Sequence, residues 1–336
     1  MPTSVVVKWL RDTAARADPR QTLTEEAALR FLADDLGVAL APRVLASAPR
    51  PHVLVLEDLA PRVALDQVLR RDGAVPPPAA LMAFAAALGE LNAATAGHAD
   101  RYYARRRALG PVDPRADREG AVFGSWRETV RLAADFGAAM PGAAAAEWTA
   151  VLDQLADPGP FLALTNGDPE ANNFLVAAGE GRLIDFEFAG YRHALTSAAC
   201  LHVPGPGWLT VGDPVASGAQ DHYRRALART VPQAADDRLF GDGLAAACMA
   251  TAVERLHRLT TLDARPPGDP SRPQMVSTLE SAARTATTHR ALPHLTTWSR
   301  RVATTLRHRW KDADTDLTTH PPYTPRDPAT PEDRAP

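Results

Sequence analysis

Apolar residues along the chain recur in two periods. Short unbroken runs at Val5-Val6-Val7, Val53-Leu54-Val55-Leu56, Phe161 to Leu164, Phe174 to Val176 and Arg182 to Ile184 predict strands. Gly179 to Gly181 supplies turn chemistry between the last two, which therefore read as a hairpin. Repeats of three and four predict helices elsewhere. Ala28, Leu29, Leu32 and Leu36 place one over about Leu23 to Leu36, opened by a Thr22–Glu25 capping box and stopped at Gly37. Leu81, Phe84, Leu88 and Leu91 place another over about Ala79 to Ala94, after the Pro76-Pro77-Pro78 break. Shorter patterns predict helices at Asp66 to Arg71, Trp126 to Ala139, Ala143 to Ala156, Asp221 to Arg229, Leu244 to Leu259, Met275 to Ala283 and Leu295 to Trp310. Pro42 to Ala46 reads as a connector. From His320 onward proline and charge dominate, and a segment with so little apolar surface is expected to stay disordered.

Composition narrows the function classes. The 336 residues suffice for about two lobes, and the hydrophobic and charged fractions are those of a globular protein. A formal net charge of -3 and a pI near 6.4 give no global basic field, so neither a nucleic acid nor a membrane partner is expected. The arginines from Arg101 to Arg107, interleaved with Tyr102 and Tyr103, read as a solvated face or loop. Cys200 and Cys248 form neither a disulfide framework nor a metal-spacing motif. With no apolar leader and no stretch of membrane-span length, a cytoplasmic location is expected.

Candidate chemistry concentrates between Phe161 and Gly190. Folding the hairpin brings Asn173, at its entry, near Asp185, which follows its second strand. A carboxylate with an amide carbonyl suits a hard divalent cation. Asp168, on the loop before the hairpin, is placed to accept a proton from an attacking hydroxyl. Glu170 and Asn172 share that loop and read as solvated or capping residues. Asp213, Asp221 and Glu254 in the C-terminal region are acidic candidates for a cationic ligand, although each alone reads as a surface charge.

The order Gly167-Asp168, Asn173, then Ile184-Asp185-Phe186-Glu187 resembles the Brenner-type loop and DFG-equivalent of the aminoglycoside phosphotransferase and choline kinase family. That resemblance implies an α+β, protein-kinase-like two-lobe fold, with a truncated N-terminal sheet lobe (residues 1–60), a larger mainly helical C-terminal lobe (61–315) and a tail (316–336). It implies an ATP- and Mg2+-dependent phosphotransferase acting on a hydroxyl of a small molecule, aminoglycoside-like or another polar metabolite. Asp168 would be the catalytic base, Asn173 and Asp185 magnesium ligands, and Glu187 an acidic neighbour of the metal or substrate. Lys8 would contact nucleotide phosphates and Glu26, chosen over Glu25, would pair with it, Glu25 serving only as a first-turn charge. Glu57, Asp58 and Leu59 would line the adenine cleft through their backbone.

The sequence departs from the family pattern in several places. Asn166 and Asn92 stand where the family has histidine, and Ser197 stands where it often has aspartate. The first glycine is Gly37, so no glycine-bearing phosphate loop precedes Lys8 in this sequence; a gene start placed too late is the favoured expectation. Two other readings stay open. One is a catalytically silent kinase-like binding module; the other, ranked last, uses Asp168, Glu170, Asp185 and Glu187 as hydrolytic carboxylates.

Overall fold

The computed structural model describes residues 4–9, 19–48, 52–72, 79–123, 126–178, 180–205 and 210–317. The expected disordered tail lies outside them from residue 318 onward.

The N-terminal part is an antiparallel sheet with a helix against it. β1 (Val5–Trp9) and β2 (Val44–Ala48) both pair with β3 (Val53–Glu57), giving the order β1-β3-β2. The segment expected as a connector at Pro42 to Ala46 thus mostly becomes β2, bent by an irregularity between Val44 and Ala46. α1 (Pro19–Arg30) begins earlier than the capping box predicts. Proline is well suited to a first helical turn, where no N–H partner is needed, so the helix opens at Pro19 and encloses Thr22 to Glu25. A wide helical turn over Phe31–Asp35 follows, and Gly37, at φ +67°, ends it as expected.

The second part starts with β4 (Val63–Ala64), α2 (Leu65–Asp72) and α3 (Ala79–Thr95). α4 (Ala99–Leu109), α5 (Pro114–Phe123), α6 (Trp126–Asp135) and α7 (Gly142–Ala156) lead to β5 (Leu162–Thr165). The hairpin forms as β6 (Phe174–Ala177) and β7 (Glu180–Leu183), with Phe174 opposite Leu183 and β4 on its outer edge. Gly181 is needed for a reason other than the turn. The fully buried Phe174 ring lies where its Cβ would be, at 1.8 Å. The chain past Gly190, for which no element is predicted, makes β8 (Gly190–His193), which pairs antiparallel with β5.

Helices α8 (Leu195–His202), α9 (Ala219–Ala228), α10 (Asp237–Arg255), α11 (Leu259–Ala264), α12 (Ser271–Thr288) and α13 (Pro293–Arg309) complete the chain. α10 is longer than predicted because Asp236 caps it, accepting from the amides of Arg238 and Leu239 at 2.9 Å. α3 packs on α9, and α12 lies between α10 and α13.

The arginine-tyrosine stretch is not a solvated face. Tyr102 and Tyr103 are buried against Phe31 and Tyr191, and Arg105 forks onto Asp35 at 2.7 and 2.8 Å. That bidentate pair joins α4 to the end of α1, which fixes one lobe on the other. Asn92 is equally structural. Its amide donates to Leu164 O at 2.8 Å and Ser197 Oγ at 3.4 Å, while the Tyr223 hydroxyl donates to its Oδ1 at 2.8 Å. α3, β5, α8 and α9 meet at this one buried side chain. No single described helix is long and apolar enough to cross a membrane.

Candidate active site

Residues 166–173 leave β5 as a tight loop held by its own amides. Asn166 Nδ2 and Asn173 Nδ2 both donate to Asp168 O, at 3.1 and 3.0 Å, and Asn173 Nδ2 also reaches Asp168 Oδ2 at 2.9 Å. Among the described residues nothing donates to Asp168 Oδ1, so one carboxylate oxygen is fixed and the other stays available. Gly167 makes the loop possible. It sits at φ +84°, and a Cβ there would come within 2.1 Å of Phe188 O. Partial burial pushes the Asp168 carboxyl above its ordinary pKa, with the Asn173 amide pulling the other way and the Asp185 charge adding to the rise.

The hairpin delivers Asp185 to this loop. Ile184 N donates to Asn173 O at 2.9 Å, extending the β6–β7 ladder so that Asp185 follows directly beyond Asn173. Asp185 itself has φ +63°, a conformation that few side chains other than glycine, asparagine and aspartate adopt. Strain of this kind persists only where surrounding contacts impose it, and Lys8 supplies one. Lys8 Nζ lies 2.5 Å from Asp185 Oδ1 and 2.8 and 2.7 Å from the two oxygens of Glu25. Burial alone would lower the lysine pKa; the two carboxylates outweigh it and hold the ammonium above its usual value.

The helix partner of Lys8 is therefore Glu25, which corrects the expectation for Glu26. Glu26 Oε1 instead accepts from Arg30 Nε at 2.9 Å and Ser47 Oγ at 2.6 Å. Successive helical side chains diverge by about 100°, so only one of the two faces the site. A signal for this exists in the sequence. Glu25 heads the apolar stripe of Ala28, Leu29 and Leu32 at spacings of three, four and seven, whereas Glu26 heads the polar face through Arg30. Nor is Glu25 a first-turn charge, since it lies a turn and a half into α1, is 3% exposed and accepts from Phe186 N at 3.4 Å.

The structure also gathers Glu187. Carboxylate oxygens of Glu25, Asp185 and Glu187 lie within 4.8 Å of one another. Burial, and then the Asp185 charge, pushes the Glu187 carboxyl upward. The lysine offsets one of three carboxylates, and the surplus of negative oxygen donors suits a hard divalent cation. Asn173 fits less directly, since its Oδ1 already accepts from Asn172 Nδ2 at 2.8 Å, with one lone pair remaining. Glu170, expected to be solvated or capping, is buried, and Arg255 of α10 comes to 3.4 Å from it. The long-range partner was invisible to a local reading.

The three residues from the end of β3 onward, Glu57 to Leu59, diverge in role. Glu57 accepts at Oε2 from Arg43 N at 3.2 Å. Asp58 is an exposed turn former that accepts from Ser4 Oγ at 2.6 Å and Ala60 N at 2.9 Å. Leu59 is buried, and its carbonyl accepts from Arg62 N at 3.1 Å.

No protein-family model matches the sequence, and no curated protein matches it. Solved structures do. A choline/ethanolamine kinase family protein from Mesorhizobium loti superposes with a TM-score of 0.52 at 16% identity, over 89% of this chain and 87% of its own. Macrolide 2'-phosphotransferase MphH from Brachybacterium faecium matches with a TM-score of 0.47 at 19% identity, over 82% of this chain and 84% of its own. Amicoumacin kinase hAmiN, solved with AMP-PNP and Ca2+, matches with a TM-score of 0.47 at 16% identity, over 84% of this chain and 81% of its own. At such identities the likeness defines a fold. The chain has the α+β, two-lobe fold of the choline/ethanolamine kinase family protein, with a small antiparallel sheet lobe and a larger helical one. The resemblance expected from the central motif is thus met in the architecture.

Proposed function

We propose that the protein is an ATP-dependent phosphotransferase that moves the γ-phosphate to a hydroxyl of a small molecule. The observation that carries this reading is the convergence of Lys8, Glu25 and Asp185, from three separate segments, beside the Asp168–Asn173 loop. Phosphoryl transfer asks mainly for positioning and charge, and this cluster offers both. A Mg2+ held by Asp185 with Asn173 and Glu187 would neutralise the phosphate oxygens. Lys8, steered by Glu25, would hold the phosphates from the sheet side. The backbone of Glu57 to Leu59 would line the adenine cleft.

In the transfer, Asp168 takes the proton of the acceptor hydroxyl while the hydroxyl oxygen bonds to the γ-phosphorus. The bond from that phosphorus to the bridging oxygen breaks, and its electron pair departs on ADP. Fixing Oδ2 through Asn173 aims Oδ1 at the acceptor.

The test is ATP consumption with a panel of aminoglycosides, choline-like amines and sugars, comparing the native protein with Asp168→Ala. We expect turnover with at least one acceptor, abolished in Asp168→Ala while nucleotide binding is kept. Full turnover in the variant would remove Asp168 from its role, and nucleotide binding without turnover on any acceptor would favour the silent binding module.

A further inference from the structure

The last turn of α10 brings a cation to the Asp168 loop. Arg255 ends that helix, and its Nη2 lies 3.4 Å from Glu170 Oε1. Glu170 follows Asp168 by two residues and is tied to it, since Glu170 N donates to Asp168 O at 2.8 Å. The guanidinium is thus close enough for its charge to be felt at the base. Burial raises the Asp168 carboxyl pKa, and the Arg255 charge offsets part of that rise.

The contact with Glu170 does not use Arg255 up. Arg105 forks onto Asp35 at 2.7 and 2.8 Å, and the buried Arg272 donates from all three of its nitrogens. Arg255 instead meets its carboxylate through one nitrogen, at the outer limit of a hydrogen bond. A pair that served only to neutralise Glu170 would close into the shorter fork. Nor does Arg255 cap its own helix, because it donates to no carbonyl among the described residues. Its Nε and Nη1 have no partner among those residues, and neither is sealed from solvent although the side chain is only 19% exposed. Glu170 is wedged on its other side against Gly205, where a Cβ would come within 2.0 Å of Oε2. One edge of a planar guanidinium therefore stays open beside the base, the shape that takes two parallel bonds from a carboxylate or phosphate.

We propose that Arg255 receives an oxyanion, a carboxylate or a phosphate group, beside Asp168. The proposal rests on the phosphotransfer reading for the role of Asp168 and deepens it. Two groups could bring the oxyanion there: the acceptor itself, or the γ-phosphoryl in transit. An acceptor that brings its own would be a hydroxy acid or a sugar phosphate rather than a choline-like amine.

The test follows the Arg255 Nε–H resonance of the full protein, labelled with 15N-arginine and mixed with ADP and Mg2+, as inorganic phosphate is added. Choline chloride at equal ionic strength is the control. The expected result is a saturable shift with phosphate and none with choline. Arg255→Gln should weaken phosphate binding, read by 31P line broadening, at least tenfold, and Arg255→Lys, which keeps the charge without the fork, about threefold. Replacing ADP by AMP-PNP separates the two sources. A shift on AMP-PNP alone, with phosphate then excluded, assigns the oxyanion to the γ-phosphoryl; a phosphate shift that persists beside AMP-PNP assigns it to the acceptor. An unfolding midpoint that ADP leaves unchanged would count against the phosphotransfer reading, and the phosphate titration of Arg255 would still decide this proposal. A resonance unmoved by phosphate and AMP-PNP alike, an equal response to choline, or unchanged phosphate affinity in Arg255→Gln would overturn it.

Discussion

Replacing Glu25 by glutamine separates charge from shape at the centre of the site. The amide keeps the volume and can still accept from Lys8 and from Phe186 N, but the lysine loses one of its two anionic partners. Breaking a fully buried pair costs roughly 3–5 kcal/mol. Here Asp185 stays at 2.5 Å and the Lys8 side chain is 35% exposed, so the expected loss of stability is smaller, about 1–2 kcal/mol. A lysine that swings toward Asp185 no longer meets nucleotide phosphates in one geometry, and each ~1.4 kcal/mol lost there is a tenfold loss of affinity. Urea unfolding gives the first quantity and titration with an ATP analogue the second, with Glu26→Gln as control. Glu26 is buried and joined to Arg30 and Ser47 on the other face, so its loss should cost about 1–3 kcal/mol of stability yet leave nucleotide affinity within about twofold. A Glu26→Gln variant that loses as much nucleotide affinity as Glu25→Gln would refute the pairing argued from the geometry.

Three further outcomes follow from named contacts. Gly167→Ala combines a left-handed backbone with a Cβ 2.1 Å from Phe188 O, so a drop of roughly 2–3 kcal/mol in urea unfolding is expected; a loss under about 0.5 kcal/mol would contradict the loop geometry. Asn92→Ala removes the donor to the Leu164 carbonyl, while the Tyr223 hydroxyl keeps Ala194 O at 2.8 Å, and should cost about 1–3 kcal/mol, with nucleotide affinity in the surviving folded protein unchanged. Because the Asp168 pKa is raised and the base works only when ionised, turnover should fall with decreasing pH above the ordinary carboxylate range of about 4. Asn173→Ala removes the bond that favours the ionised form and should move that limb higher, as a plot of log kcat against pH would show; an acid limb at or below the ordinary value would contradict the burial of Asp168.

How much of this was legible depended on whether the deciding contact was local. The β6–β7 hairpin and α3 follow from periodicity and turn chemistry within a few residues, and the structure places them as expected. The assignment of Glu26 failed for a different reason. It followed the resemblance of Glu26 to Leu32 to the family's helix, whereas the spacing of Ala28, Leu29 and Leu32 puts Glu25 on the apolar face that turns toward Lys8. The Glu170–Arg255 contact spans α10 and the loop of residues 166–173, and the strand at Gly190–His193 exists because β5 offers it a partner. Neither leaves a period in its own segment. Asn92, read only as a departure from a family histidine, proves to be the junction of four elements because its amide both donates and accepts.

Lys8, Glu25 and Asp185 are proposed to build a nucleotide and divalent-cation site. Its most direct test is the thermal unfolding midpoint with and without ATP, each with and without Mg2+, for the native protein and Asp185→Asn. At about 100 times its dissociation constant, a ligand adds roughly 2.7 kcal/mol to stability. A Mg2+-dependent rise is expected in the native protein and should be lost in Asp185→Asn. An unchanged midpoint in the native protein, or a rise that Asp185→Asn retains in full, would contradict it.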